Sequence, residues 1–354
     1  MSVVMKKERG IMQKELENHN RLLNDQGELL EAGYARELLL EYNRSDIKAS
    51  TFRIKEWDYY LIANKDFAVA LTIADNSYMG LISVSLLDFK QPWYKTTSIL
   101  KPFTFGRLNL PSTSKHGDII YEDKKVKMEF LNNGVTRKIT CYMKDFNNGK
   151  SFECDFLVLD EPRDSIVTAT PFAEDNKAFY YNQKINCMKV QGVAKYDGRE
   201  YRFHPGTSFA TLDWGRGVWT YKNTWYWGSA SGTINHVPFG FNIGYGFGDT
   251  SAASENMLFY DGVAHKLDKV TFHIPKNDGE YDYMKPWTFT SNDKRFEMSF
   301  QPILDRKDYT SIGIISSDQH QVFGLFTGYA VLDDGTVIKL KDFFGFAERV
   351  SNKW

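Results

Sequence analysis

The chain has only three cysteines, Cys141, Cys154 and Cys187, among 354 residues. An odd, widely spaced set excludes a disulfide framework or a zinc knuckle and points to reduced, buried thiols in a cytoplasmic protein. No apolar run approaches the roughly twenty residues that would span a bilayer, so no transmembrane segment is expected. The opening MSVVMKKERGIMQKELENHN is charged throughout and lacks the apolar stretch of a secretory signal. Neither sign of charge dominates: 44 basic residues face 45 acidic ones, which argues against nucleic acid or an anionic membrane as the main partner. Metal-ligating H-x-H and H-E-x-x-H spacings are absent, as is the G-x-S-x-G of covalent hydrolases. The glycines at 240, 244, 246 and 248 run into Asp249, so they form no dinucleotide fingerprint. Neither metal nor cofactor is expected.

Aromatic residues are abundant instead: 26 Phe, 20 Tyr and 8 Trp, with 26 Gly. Such a composition suits pleated, half-buried surfaces with bulges and tight corners. From about residue 50 the apolar period is two. Phe152, Cys154, Phe156 and Val158 alternate with Ser151, Glu153 and Asp155; Phe296, Met298 and Phe300 alternate with Arg295, Glu297 and Ser299. Half-buried antiparallel strands follow this pattern. Hairpin dipeptides recur between the strands, at Asn133-Gly134, Asn148-Gly149, Asp197-Gly198, Asp261-Gly262 and Asp334-Gly335. Residues 1–48 form an N-terminal segment of short helices or irregular chain, broken at Asn24-Asp25-Gln26-Gly27. The acidic LDEPRDS stretch at 159–165 suggests a boundary, giving β-domains over 49–162 and 163–354.

The densest feature is ATLDWGRGVWTYKNTWYWGSASG at 210–232. As a strand, 210–219 puts Thr211, Asp213 and Trp219 on one face and Leu212, Trp214, Arg216 and Val218 on the other. The next strand puts Trp225 and Trp227 on one side and Tyr226 on the other. Trp57, Tyr59, Trp214, Trp219, Trp225 and Trp227 are the candidate ligand-binding rings, able to line an apolar cavity, stack on sugars or shelter a developing cation. Asn242, a polar amide within an apolar-glycine strand, either contacts ligand or satisfies neighbouring backbone. Asp213 is the pivotal candidate. Among indoles it acts as a neutral acid that protonates a double bond; held by Arg216 it is an anion with a structural or basic role. Glu255 and His320 complete the catalytic candidates, His320 being either a cavity-lining acid or base or a polar strand end. Glu348, a lone acid after the aromatic run FFGFA, has no assigned role.

RIKEWDYY (53–60), ATLDWGRGVW (210–219), GFNIGYGFGD (240–249), SENMLFYDGVAHKL (254–267) and HQVFGLFTGY (320–329) together resemble, in content and order, the family known as domain of unknown function 2804. KEWDYY is also similar to the EWWYF signature that opens the AttH and carotenoid 1,2-hydratase group, with ATLDWG at that group's small-aromatic-aspartate position. The resemblance implies a mainly β fold of two consecutive lipocalin-like (calycin) domains with a ligand site near their junction. It also implies a hydratase, lyase or isomerase acting by proton transfer on an apolar or terpenoid-like small molecule. Trp214-Gly215-Arg216-Gly217 departs from the hydratase pattern after the aspartate. Two other functions fit the residues: a non-catalytic carrier or sensor of a hydrophobic ligand, and a carbohydrate-active protein using Asp213 and Glu255 beside the Trp platform.

Overall fold

A computed structural model describes residues 13–312 and 315–353; the charged opening of the chain, residues 1–12, lies outside them. The fold is mainly β, built from two curled antiparallel sheets as expected for paired calycin-like domains. The first sheet contains β1 (Ile54–Ala63), β2 (Phe67–Asp75), β3 (Met79–Asp88) and β4 (Trp93–Pro102). It continues through β5 (Ile119–Glu122), β6 (Val126–Asn132), β7 (Arg137–Asn147), β8 (Lys150–Leu159), β9 (Ile166–Phe172), β10 (Asp175–Tyr196), β11 (Arg199–Phe203) and β12 (Phe209–Val218). Its main path runs β4-β3-β2-β1-β12-β10-β8-β7-β6-β5. The second sheet holds β13 (Lys222–Ile234), β14 (Val237–Tyr245), β15 (Met257–Tyr260), β16 (Val263–Lys266), β17 (Val270–His273) and β18 (Trp287–Ser291). With β19 (Phe296–Ile312), β20 (Ile315–Val331) and β21 (Val337–Lys353) it runs β16-β15-β14-β13-β21-β20-β19-β18-β17.

The alternations and turns are realised as read. In β8, Phe152, Cys154, Phe156 and Val158 enter the first core while Ser151, Glu153 and Asp155 stay exposed. Both residues of Asn148-Gly149, Asp197-Gly198 and Asp261-Gly262 have positive φ, the geometry that a two-residue hairpin matching strand twist requires. The helix-compatible leucines of the N-terminal segment behave differently. Among residues 13–53 the only helical pieces are single 3-10 turns at Arg44–Asp46 and Thr51–Arg53. Leu22, Leu23, Leu38, Leu40 and Tyr42 instead pack into the first core. Asn24 Oδ1 accepts the backbone N–H groups of Gln26 and Glu28, a local turn that competes with helix.

The sheets do not part at 162/163. Strands β9 to β12 pair into the first sheet, β12 lying between β1 and β10, so the change of sheet falls at 219–221. LDEPRDS is a connection within the first sheet, latched to the second where Asp164 Oδ2 accepts the Ala264 N–H at 3.0 Å. We propose a division at 219–221 in place of the expected one.

Candidate functional site at the seam between the sheets

Each sheet turns one face into its own apolar core and the other towards its neighbour. Leu212, Trp214 and Val218 of β12 join the first core, with Tyr60 and Ile62 of β1. Phe241 and Ile243 of β14, Val322 and Phe326 of β20, and Ala347 of β21 join the second. The residues between them point into the seam, where Tyr59, Leu61, Trp227, Phe323 and Phe346 form a third cluster with Trp57 and Trp225 against it.

Lys184, on β10, is the centre of the seam and is almost wholly buried. Its Nζ donates to Asp213 Oδ1 at 2.9 Å, Asn182 Oδ1 at 2.8 Å and the Tyr180 hydroxyl at 3.1 Å. Glu255 Oε2 lies 3.7 Å away, and the ammonium sits 4.6 Å from the Trp227 ring centroid. Asn182 Nδ2 also donates to Asp213 Oδ1, at 2.6 Å. A desolvated ammonium with this many acceptors is fully satisfied. Glu255 comes from the loop before β15; burial raises its carboxyl above the usual range, against the pull of Lys184. Gly244 makes room for it, since a Cβ there would lie 2.2 Å from Glu255 Oε1.

Glu348 of β21 is the second buried acid facing this seam. Trp225 Nε1 donates to its Oε1 at 3.0 Å and Gln321 Nε2 to its Oε2 at 2.9 Å. Burial pushes its carboxyl up to about 7, with those two donors and Arg306 opposing and Asp213 reinforcing the rise. Gln321 Oε1 is buried without a hydrogen bond. Turning that amide over would give the neutral form of Glu348 an acceptor for its proton.

The expected candidates separate into two groups. Asp213, Glu255, Trp57, Tyr59, Trp219, Trp225, Trp227 and Asn242 are at the seam. Trp57 packs flat over Gly215, where a Cβ would lie 2.0 Å from its ring, and stacks with Tyr180 at 5.9 Å. Trp219 meets Trp57 at 5.3 Å, Trp225 at 6.0 Å and Phe247 at 4.8 Å. Asn242 accepts from Trp227 Nε1 at 2.6 Å and donates to the Glu255 backbone carbonyl, so it orients two site residues.

Arg216, Trp214 and His320 are elsewhere. Arg216 and Trp214 point into the first barrel, where the guanidinium stacks on the indole and pairs with Asp58 at 2.9 Å. The alternative in which Arg216 holds Asp213 is thereby overturned: strand alternation puts them on opposite faces, and Lys184 is the partner of Asp213. Replacing Arg216 by methionine leaves Asp58 buried without its partner and is expected to destabilise the fold by about 3–5 kcal/mol, read by denaturant unfolding. His320 is on the far face of β20, bonded to Asp305 and stacked on Tyr283 at 3.8 Å.

A small crevice of about 10 Å³, lined by Thr168, Thr170, Tyr180, Phe247 and Glu255, opens beside the cluster. A drug-sized ligand usually needs ~300–1,000 Å³. A substrate at the seam must therefore displace some of the half-exposed rings of Trp57, Trp219 and Trp225. Among the described residues no group of three or more His, Cys, Asp or Glu is placed to hold a metal ion.

The family model described as domain of unknown function (DUF2804) matches residues 13–354. The chain belongs to that family. Among solved structures, this member of the DUF2804 family is similar to an AttH protein from Nitrosomonas europaea, with 12% identity, 88% of this chain and 96% of the other covered, and a TM-score of 0.53. It is also similar to kievitone hydratase from Nectria haematococca, at 10% identity over 85% of this chain and 88% of the other, with a TM-score of 0.45. Comparison with curated proteins gives no match. At such identities the AttH likeness establishes the fold alone.

Lys184 and Glu348 are what sequence reading missed. Lys184 stands in the polar-rich run NQKIN, where a lysine reads as a solvated position, and its partners Asp213 and Glu255 come from other strands and loops. The available signal for Glu348 was a single acid embedded in an apolar strand.

Proposed function

We propose that the seam is the active site of a hydratase-type enzyme that moves protons onto and off an apolar small molecule. One observation carries the reading: two carboxyl groups share the seam in environments suited to opposite tasks. Glu348, raised to about 7 by burial, can hold a proton near neutral pH. Asp213 accepts hydrogen bonds from an ammonium and an amide at Oδ1, which fix the second carboxyl group in place within the seam.

The reaction then proceeds in balance. Glu348 gives its proton to one carbon of a double bond, and positive charge develops on the other carbon against the faces of Trp225 and Trp227. Water adds to that carbon and passes its extra proton to Asp213. Solvent exchange returns Asp213 to the anion and Glu348 to the acid. Tyr180, kept protonated by burial, is a fixed hydroxyl beside the ammonium. The family resemblance of KEWDYY and ATLDWG supports the same chemistry.

The test is mass spectrometry of small molecules released from the native protein and from Asp213→Asn. The variant is expected to retain a compound lighter, by one water, than the compound on the wild type. An identical molecule on both would instead mark a carrier, and a released sugar would point to carbohydrate chemistry.

A further inference from the structure

The interior of the second barrel is apolar except at one end. There the register aligns a polar row across five strands: Lys307 of β19 opposite His320 of β20, His320 opposite Arg349 of β21, Arg349 opposite Tyr226 of β13, and Tyr226 opposite Tyr245 of β14. Tyr281 and Tyr283, from the segment before β18, close over it. Arg349 lies 4.7 Å above the Tyr281 ring and reaches the Tyr283 hydroxyl at 3.5 Å. The Tyr226 and Tyr281 hydroxyls are 3.3 Å apart. Tyr226 stacks on Tyr245 at 4.6 Å, and Tyr283 on His320 at 3.8 Å.

Two polar atoms here are buried without a partner: Arg349 Nε and Asp305 Oδ1. The other oxygen of Asp305 holds His320 Nδ1 at 2.7 Å. Among the described residues the only carboxylate paired with the guanidinium is the half-exposed Asp318, at 3.9 Å, and its other oxygen is 3.5 Å from His320 Nε2. Buried donors and acceptors rarely stay unsatisfied. A guanidinium with an unpartnered Nε beside phenol hydroxyls is matched by an oxyanion, above all a carboxylate taken in bidentate fashion. Burial holds the Tyr245 and Tyr283 phenols at about 12, so they remain donors. The surrounding phenol and imidazole rings make an aromatic body the natural companion of that carboxylate. The orphaned Asp305 oxygen would accept a hydroxyl.

We infer that this end of the second barrel binds a small aromatic carboxylate bearing a hydroxyl group, at a site separate from the seam. It is proposed as a binding site, apart from the proton transfer proposed above.

Isothermal titration of the full chain with 4-hydroxybenzoate tests this, with 4-hydroxybenzyl alcohol and inorganic phosphate as controls. Saturable binding is expected for the acid, and binding at least about tenfold weaker for the alcohol, which lacks the partner of the guanidinium. Phosphate, lacking the ring, should also bind more weakly. Arg349→Met should lose at least about tenfold in affinity. Tyr281→Phe, which keeps the ring and removes one hydroxyl, should weaken binding less and guards against a folding defect in the arginine variant. Glu348→Gln, altered only at the seam, should bind as the wild type does. Failure to bind the acid, equal binding of acid and alcohol, or loss of binding in Glu348→Gln but not in Arg349→Met would each overturn the assignment. None of these results bears on the water difference that tests the seam.

Discussion

Glutamine at position 348 is expected to stop turnover and, at pH 8, to make the protein more stable than the wild type. Loss of a general acid typically lowers the rate by about 10²–10⁴-fold. The stability gain follows from proton linkage. Glu348 is raised from 4.5 to about 7 in the folded protein, so the native state holds a proton that the unfolded chain releases. Below pH 4.5 both states are protonated and the site adds no penalty. As pH rises from about 4.5 to 7 the folded protein loses stability, by about 3 kcal/mol in total. Glutamine has no such titration. Thermal melts followed by circular dichroism should therefore give similar midpoints for variant and wild type at pH 4.5 and a higher midpoint for the variant at pH 8. A difference that does not grow with pH would remove Glu348 from the role of buried acid. The unpartnered Gln321 Oε1 makes the substitution tolerable, since a turned amide can accept from the new side chain.

Methionine at position 184 should have the opposite consequence. Lys184 is the cation shared by Asp213 and Glu255, and deleting one member of a buried ion pair costs about 3–5 kcal/mol. The loss should depend on pH. Lys184 holds the Glu255 carboxyl lower than burial alone would, so removing it raises that group further. Proton uptake then relieves the unpaired charge, and the deficit relative to wild type should shrink as pH falls towards 5. Urea unfolding at pH 5 and pH 8 measures it. An equal deficit at both values would mean that Lys184 acts by packing, through its contact with Trp227. Arginine at the same position, longer and forked, should not restore the wild-type value.

Much of the architecture was legible in local pattern. The two-residue period of β8 and of the start of β19, and the Asn-Gly and Asp-Gly pairs with left-handed φ, follow from side-chain direction and turn sterics that neighbours along the chain determine. The opposite faces of Asp213 and Arg216 came from the same rule. The change of sheet at 219–221 did not, because strand pairing over long separations is not written in any one segment: β12 lies directly beside β1, far from it in the chain. The N-terminal segment, read as short helices or irregular chain, is irregular with single 3-10 turns, and its leucines are buried in the first core in extended form. At the seam the aromatic wall was visible as composition, whereas the identity of the ion pair was not. The partners Lys184 and Asp213 meet only because β10 and β12 are hydrogen-bonded with those residues opposite each other.

The back-to-back arrangement of the sheets separates durability from chemistry. Each sheet seals its own oily interior, so apart from Lys184 and its partners the residues on the shared wall are not the main support of either half. Indoles and carboxyls along that wall could be exchanged during divergence with little harm to the scaffold, provided the lysine retains acceptors. Relatives with the same two-sheet body and different cargo would then be an ordinary outcome, and a library confined to Trp57, Trp219, Trp225 and Phe247 should yield mostly folded protein with altered ligand preference.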